Sequence, residues 1–222
     1  MQAPRPRRFD LIVFDWDGTL FDSTALIVQC IQAACRDLGV DVPSDAQAAY
    51  VIGLGLQDAL EHAVPGLPKE RYPDLGRRYR HHYFASQHAL SLFPGTLDML
   101  QALKARNHWL AVATGKSRQG LNEALSTAQL KGLFDGTRTA DETASKPDPR
   151  MLLELLREFG CEPERAVMIG DTTHDLQLAV NAQVPCIGVS YGAHETDDFH
   201  RFDPLAVVHS TAELQHWLLA NA

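Results

Sequence analysis

Leu11-Ile12-Val13-Phe14-Asp15-Trp16-Asp17-Gly18-Thr19-Leu20 decides how this chain is read. Four apolar residues in a row match a short buried strand. Uninterrupted apolar strands suit a parallel sheet covered on both faces. The run then breaks into two acids two positions apart, followed by glycine. Two carboxylates at a strand's carboxyl end can converge on one metal ion or one reacting group. Gly18 lets the backbone turn tightly and approach a ligand closely. The same residues also read as an Asp-Gly turn with incidental acids, so the rest of the chain must decide.

Working outward, four more apolar runs follow: Leu110-Ala111-Val112-Ala113, Ala166-Val167-Met168-Ile169, Cys186-Ile187-Gly188-Val189 and Ala206-Val207-Val208. Helical patterns separate or flank them at about 95–106, 117–129, 148–159, 174–182 and 211–220. Strand–helix alternation predicts a doubly wound α/β fold with a parallel, Rossmann-like sheet. Residues 22–90 break that rhythm. Thr24, Ile27, Val28, Ile31, Ala34, Cys35 and Leu38 recur at helical spacing, as do Tyr72, Leu75, Tyr79 and Tyr83. Phe93-Pro94-Gly95 marks the return. The organisation expected is an α/β core over 1–21 and 91–222, with an all-helical domain inserted over 22–90.

Composition narrows the partners. The chain has 222 residues, 20 Lys and Arg against 28 Asp and Glu, and a formal charge of −8. At about 150 residues per domain this allows one full domain and something smaller. The acidic balance argues against nucleic acid, whose binders carry a basic footprint. Hydrophobic residues at 45% suffice for a core. Cys30, Cys35, Cys161 and Cys186 form no Cys-x-x-Cys pair, which leaves no zinc or redox motif; Cys35, on a helical face with Val28, Ile31 and Leu38, reads as a small buried hydrophobe, and reduced thiols fit the cytoplasm. The basic start, Met1 to Arg8, precedes an apolar run too short for a signal peptide or a membrane span, and reads as a frayed tail. The stretch 71–82, with Arg71, Arg77, Arg78, Arg80, His81 and His82, reads as a solvated helix face. The histidines show no metal-ligand spacing; His62, His81 and His82 read as solvated, and His174 as a helix-start residue near the site.

Three more stretches carry chemistry. Ala113-Thr114-Gly115-Lys116-Ser117 ends a strand and enters a helix, where free backbone N–H groups suit an anion. It is not a P-loop, because Leu110 stands where that motif needs glycine. Ser145-Lys146-Pro147-Asp148-Pro149 holds a lysine in a loop before a helix that proline can open. Ile169-Gly170-Asp171-Thr172-Thr173-His174-Asp175 again runs a strand into glycine and acid, with a second acid one helical turn on. Singly, the lysine reads as solvent-exposed and the acids as helix caps. Together, Asp15, Asp17, Asp171 and Asp175 crowd one sheet edge against Lys146. Like charges in a cleft repel and are pushed towards protonation. All-oxygen ligands of this kind suit Mg²⁺, and a nearby hydroxyl, lysine and amides suit a phosphate dianion.

These four motifs, in this order, resemble the haloacid dehalogenase-like hydrolase superfamily over nearly the whole chain. The helical insertion resembles the cap of its phosphoglycolate-phosphatase-like subfamily. The resemblance implies that Asp15 is the nucleophile forming an aspartyl-phosphate, and that Asp17 is the general acid and base. It implies Thr114 and Lys146 on the phosphoryl oxygens, with Lys146 also steadying Asp15. It implies Mg²⁺ held by the Asp15 carboxylate, the Asp17 backbone carbonyl and Asp171, with Asp175 behind. Trp16, Gly115 and Lys116 would reach phosphate or substrate, the Trp16 side chain packing in the core. Ile52-Gly53-Leu54-Gly55-Leu56 resembles the substrate-facing cap loop, which brings in Gly53 and Gly55. The dehalogenases of the superfamily lack the second aspartate, so Asp17 points to phosphate chemistry. The function implied is hydrolysis of a small phosphorylated metabolite, 2-phosphoglycolate first, by a monomer or homodimer with no membrane partner. A phosphomutase similar to beta-phosphoglucomutase, passing the phosphoryl group to a sugar hydroxyl, and a non-catalytic binding module on the same fold are the alternatives.

Overall fold

The computed structural model describes residues 7–86, 91–126 and 130–222. Most of the basic N-terminal stretch, the end of the insertion at 87–90, and positions 127–129 of the expected helix lie outside them. Strands β1 (Leu11–Phe14), β2 (Trp109–Thr114), β3 (Gly136–Thr139), β4 (Ala166–Gly170), β5 (Cys186–Val189) and β6 (Ala206–Val208) form one sheet in the order β3-β2-β1-β4-β5-β6. All neighbouring strands are parallel, and Leu11 sits opposite both Trp109 and Ala166. The strand order reverses beside β1, and ligands of open α/β sheets bind at the carboxyl ends there.

Strand side chains alternate between faces, so each strand feeds two cores. Ile12, Phe14, Val112 and Ile169 meet Leu100 of α5 (Thr96–Ala105), Leu121 of α6 (Arg118–Leu125) and Leu214 of α9 (Thr211–Asn221). Leu11, Val13, Ala111 and Met168 meet Leu152 and Leu155 of α7 (Arg150–Phe159) and Leu176 of α8 (Thr173–Asn181). Both faces are therefore dry, which is why the strand runs carry no polar alternation.

β3 was not expected. Gly136-Thr137-Arg138-Thr139 has no apolar run because it is an edge strand and largely half-buried. Arg138 lies along α7 and pairs with Glu154 at 2.7 Å and Glu158 at 2.8 Å. A charge on an edge strand also discourages pairing with another chain.

Between β1 and β2 lie α1 (Thr24–Asp37), α2 (Asp45–Tyr50), α3 (Leu56–Ala63) and α4 (Tyr72–Ser86). They share a separate apolar cluster, in which Ile27, Ile31 and Cys35 of α1 meet Leu60, Leu75 and Tyr83. A capping box of Ser44 and Gln47 opens α2. The chain enters and leaves this region side by side: the Asp22 N–H donates to the Ser91 carbonyl and the Phe93 N–H to the Leu20 carbonyl, each at 3.0 Å. All four cysteines are buried and free. No helix among the described residues is long and apolar enough to cross a membrane.

Candidate active site

β1 delivers Asp15, 1% exposed, to the crevice at the switch point, and β4 delivers Asp171, fully buried. Glycines make room for them. Gly18 adopts φ 85°, and a Cβ there would stand 2.2 Å from an Asp171 carboxylate oxygen. A Cβ on Gly192 would meet Asp171, and one on Gly170 would meet Asp175, at the same 2.2 Å. Any side chain at these three points displaces a carboxylate.

Lys146 is buried between two acids. Its ammonium donates to Asp15 Oδ1 and Asp175 Oδ1, both at 2.5 Å. The other Asp175 oxygen accepts from the Thr172 N–H at 3.1 Å and the Thr172 hydroxyl at 2.7 Å, a capping box at the start of α8. Asp171 accepts from the Thr19 hydroxyl and the Ala193 N–H, both at 2.7 Å. One atom is left over: Asp15 Oδ2 is buried and has no hydrogen-bond partner.

The charges do not balance. Asp15, Asp171 and Asp175 each place an oxygen within 4.8 Å of the others. Burial first, then the Asp175 and Asp171 charges, push the Asp15 carboxyl well above its usual range, against the pull of Lys146. Burial and Asp175 push Asp171 up to about 7, against the hydrogen bonds from Ala193 and Thr19. Burial opposes the Lys146 charge, yet Asp15 and Asp175 together hold its pKa above the lysine range. A hard divalent cation fits this donor set. It is all oxygen and it carries surplus negative charge.

The Asp17 carboxylate stands outside that trio. It accepts from the Lys116 ammonium at 2.9 and 3.0 Å and from the Ser23 hydroxyl at 2.7 Å. Lys116 also donates to the Tyr83 hydroxyl of α4 at 2.7 Å. The site thus has a second cation beside Lys146, and Lys116 is held by an acid and a phenol rather than free to reach outward.

Thr114 ends β2, 1% exposed, and its hydroxyl oxygen accepts from the Lys116 N–H at 3.2 Å. Gly115 lies directly under the loop of the insertion: a Cβ would stand 2.3 Å from the Leu54 carbonyl oxygen and 2.6 Å from that of Gly53. Gly53 adopts φ 94° and lies over Thr172, while the Gly55 N–H donates to the Ser145 hydroxyl at 2.8 Å. A second clasp holds the end of α2. His174 and His194 each bring Nε2 to the Tyr50 carbonyl, at 2.8 and 2.9 Å, and the His194 ring stacks on Tyr50. Trp16 is buried and stacks on Phe21 with centroids 5.0 Å apart. A cavity of about 440 Å³ opens on Asp15, Asp17, Thr114, Gly115 and Lys116 from one side and on Gly53 and Gly55 from the other.

Sequence reading missed Ser23, Thr19, Tyr83 and His194. Tyr83 falls in a helical stripe that reads as packing, and the other three lack a spacing that marks them. Of the basic stretch, Arg71 donates to the Leu38 carbonyl at 3.0 Å, His82 pairs with Asp37 at 2.9 Å, and Arg80 lines the cavity. That face is therefore only partly a solvated one.

Strand order, the pocket at the switch point and the helices inserted after β1 put the molecule in the doubly wound α/β class. The family model for haloacid dehalogenase-like hydrolases matches residues 12–189, and the chain belongs to that family. It is 34% identical to "Probable phosphatase IndB" of Dickeya dadantii, over 92% of this chain and 91% of that protein. It is 32% identical to a phosphoglycolate phosphatase of Aliivibrio fischeri, over 82% of this chain and 84% of that protein. The crystal structure of a hydrolase from Pseudomonas syringae superposes with a TM-score of 0.86 at 22% identity, covering 95% of this chain and 98% of that one.

Proposed function

We propose that this chain, a phosphatase of the haloacid dehalogenase-like family, hydrolyses small phosphomonoesters with Mg²⁺ through an aspartyl-phosphate on Asp15. The observation that carries this is the orphaned Asp15 Oδ2, buried beside a carboxylate partner oxygen pinned by Lys146. Among the described carboxylates of the site, it is the oxygen that need not first leave a hydrogen bond in order to attack.

Asp15 Oδ2 attacks phosphorus, and the bond from phosphorus to the alcohol oxygen breaks. Asp17 gives a proton to the departing alkoxide. It then takes one from the water that attacks the acyl phosphate, which releases phosphate and restores Asp15. Thr114, Lys146, and the backbone N–H groups of Trp16 and Gly115 hold phosphoryl oxygens. An incoming phosphate dianion also offers Lys116 a partner other than Asp17, freeing that acid for the leaving oxygen. The Asp15 and Asp171 carboxylates and the Asp17 carbonyl would hold Mg²⁺, with Asp175 behind. The ion would supply charge neutralisation and orientation of the phosphate. Helices α1–α4 act as a cap, and the Gly53-Leu54-Gly55 loop closes it over the site and excludes water.

2-Phosphoglycolate is the reference metabolite, because the Aliivibrio relative carries that name. The test is phosphate release from a panel of phosphorylated metabolites, with Mg²⁺ or with EDTA, beside Asp15→Asn. Release that needs Mg²⁺ and disappears in the variant is the expected result. Free phosphate from a sugar phosphate also excludes pure mutase action. No release from any compound overturns the reading.

A further inference from the structure

The Asp17 carboxylate takes one hydrogen bond from the Ser23 hydroxyl, at 2.7 Å, and two from the Lys116 ammonium, at 3.0 and 2.9 Å. An ammonium has three donors, and Lys116 also donates to the Tyr83 hydroxyl, at 2.7 Å. Asp17 and Lys116 stand at the sheet edge, whereas Tyr83 stands on α4, in the insertion. Two contacts in series therefore run from the inserted helices to the acid.

Each link is held in place. Tyr83 is 7% exposed and packs in one cluster with Ile27 and Ile31 of α1. Its ring stacks on Tyr79 with centroids 5.9 Å apart, and the Lys116 ammonium lies 4.6 Å from the Tyr83 centroid. Burial, then the Asp17 charge, push the Tyr83 hydroxyl well above its usual pKa range, so it meets Lys116 as a neutral acceptor. The Lys116 side chain is only 10% exposed, so water is poorly placed to replace a lost partner. A buried charged donor left without its acceptor is costly.

Under the reading above, Asp17 delivers a proton to the leaving oxygen, and an ammonium across both its oxygens opposes that turn. Of the acceptors around the Lys116 ammonium, the Tyr83 hydroxyl is the one that stays when Asp17 turns away. We infer that Tyr83 is a positioning residue for the acid–base step: from α4 it anchors the Lys116 ammonium, so that Asp17 can leave it. This rests on the phosphomonoesterase reading. Because Tyr83 belongs to the insertion, Asp17 is readied only while those helices lie against the sheet edge.

The experiment measures kcat/KM for phosphate release from ethyl phosphate, whose alkoxide needs a proton, and from p-nitrophenyl phosphate, whose phenolate leaves without one. Tyr83→Phe keeps the ring and its stack and removes the anchor. Since general acid catalysis contributes about 10²- to 10⁴-fold, the ethyl-to-nitrophenyl ratio is expected to fall at least about tenfold in that variant. Tyr79→Phe removes a hydroxyl from the same stack, but not the one bonded to Lys116, and is expected to leave the ratio unchanged. An unchanged ratio in Tyr83→Phe, with or without a loss on both esters, overturns the inference and leaves the phosphatase reading intact. So does a ratio that falls as far in Tyr79→Phe, or release from p-nitrophenyl phosphate alone by the unaltered chain. No phosphate from either ester with the unaltered chain overturns both.

Discussion

Lys146 separates Asp15 from Asp175 in a pocket with no solvent to screen them, and both contacts are 2.5 Å. Removing one partner of a buried ion pair strands the others and costs about 3–5 kcal/mol. Lys146→Met is expected to lose up to that much in urea unfolding under EDTA, and to lose more at pH 8 than at pH 5. The direction follows from proton supply: without the ammonium the carboxylates must take up protons to stay buried, which grows harder as pH rises. Part of this residue-scale arrangement was legible in the sequence. Acids after strand runs at Asp15 and Asp171 mark themselves, because a strand end fixes where a side chain stands. The partnership of Lys116 with Asp17 did not show, since it joins residues 99 positions apart. The residues by themselves crowd Asp17 with the other three acids; only the family resemblance set its carboxylate apart, as the acid and base rather than a metal ligand.

Two of the contacts that tie the inserted helices to the sheet edge have an expected failure each. Gly115→Ala pushes a methyl into the Leu54 carbonyl, 2.3 Å away. Overpacking of this kind costs about 1–3 kcal/mol. The 52–56 loop is expected to lift, with faster amide exchange there and a fall in kcat/KM. His194→Ala removes the stack on Tyr50 and the ring nitrogen that accepts from the Thr173 N–H at 3.1 Å. A lost hydrogen bond to a group left buried costs about 1–3 kcal/mol, so faster amide exchange at 50–56 is expected with the sheet protected as before. The elements themselves were largely legible, because strands buried on both faces and helices with one apolar stripe have distinct periods. β3 was not, since one covered face and an Arg138 that lies along α7 leave no run to see.

Across the molecule, metal and proton compete for the same charge. Asp171 holds its proton up to about 7 in the fold, against an ordinary value of 3.8. Between those values the folded chain carries a proton that the unfolded chain lacks. The stability this contributes is full below 3.8 and lost as pH rises through about 7. A bound cation does the proton's work above that point. Mg²⁺ is therefore expected to raise Tm more at pH 8 than at pH 5.5. At about 100 times Kd the gain is about 2.7 kcal/mol, and a chain of this size shifts by about 2–4 °C per kcal/mol. An equal shift at both values would detach the cation from Asp171.

The junction of the inserted helices with the sheet has one more consequence. Asp22 is hydrogen-bonded to Ser91, and Phe93 to Leu20. The ends of the insertion already meet, so a short turn can bridge them without moving β1, and little loop-closure entropy is at stake. Insertions of different size can then be excised or grafted at one seam while the strand-end acids stay where they are. Exchange of the whole insertion at this seam would alter the groups above the pocket and leave the residues beneath it in place.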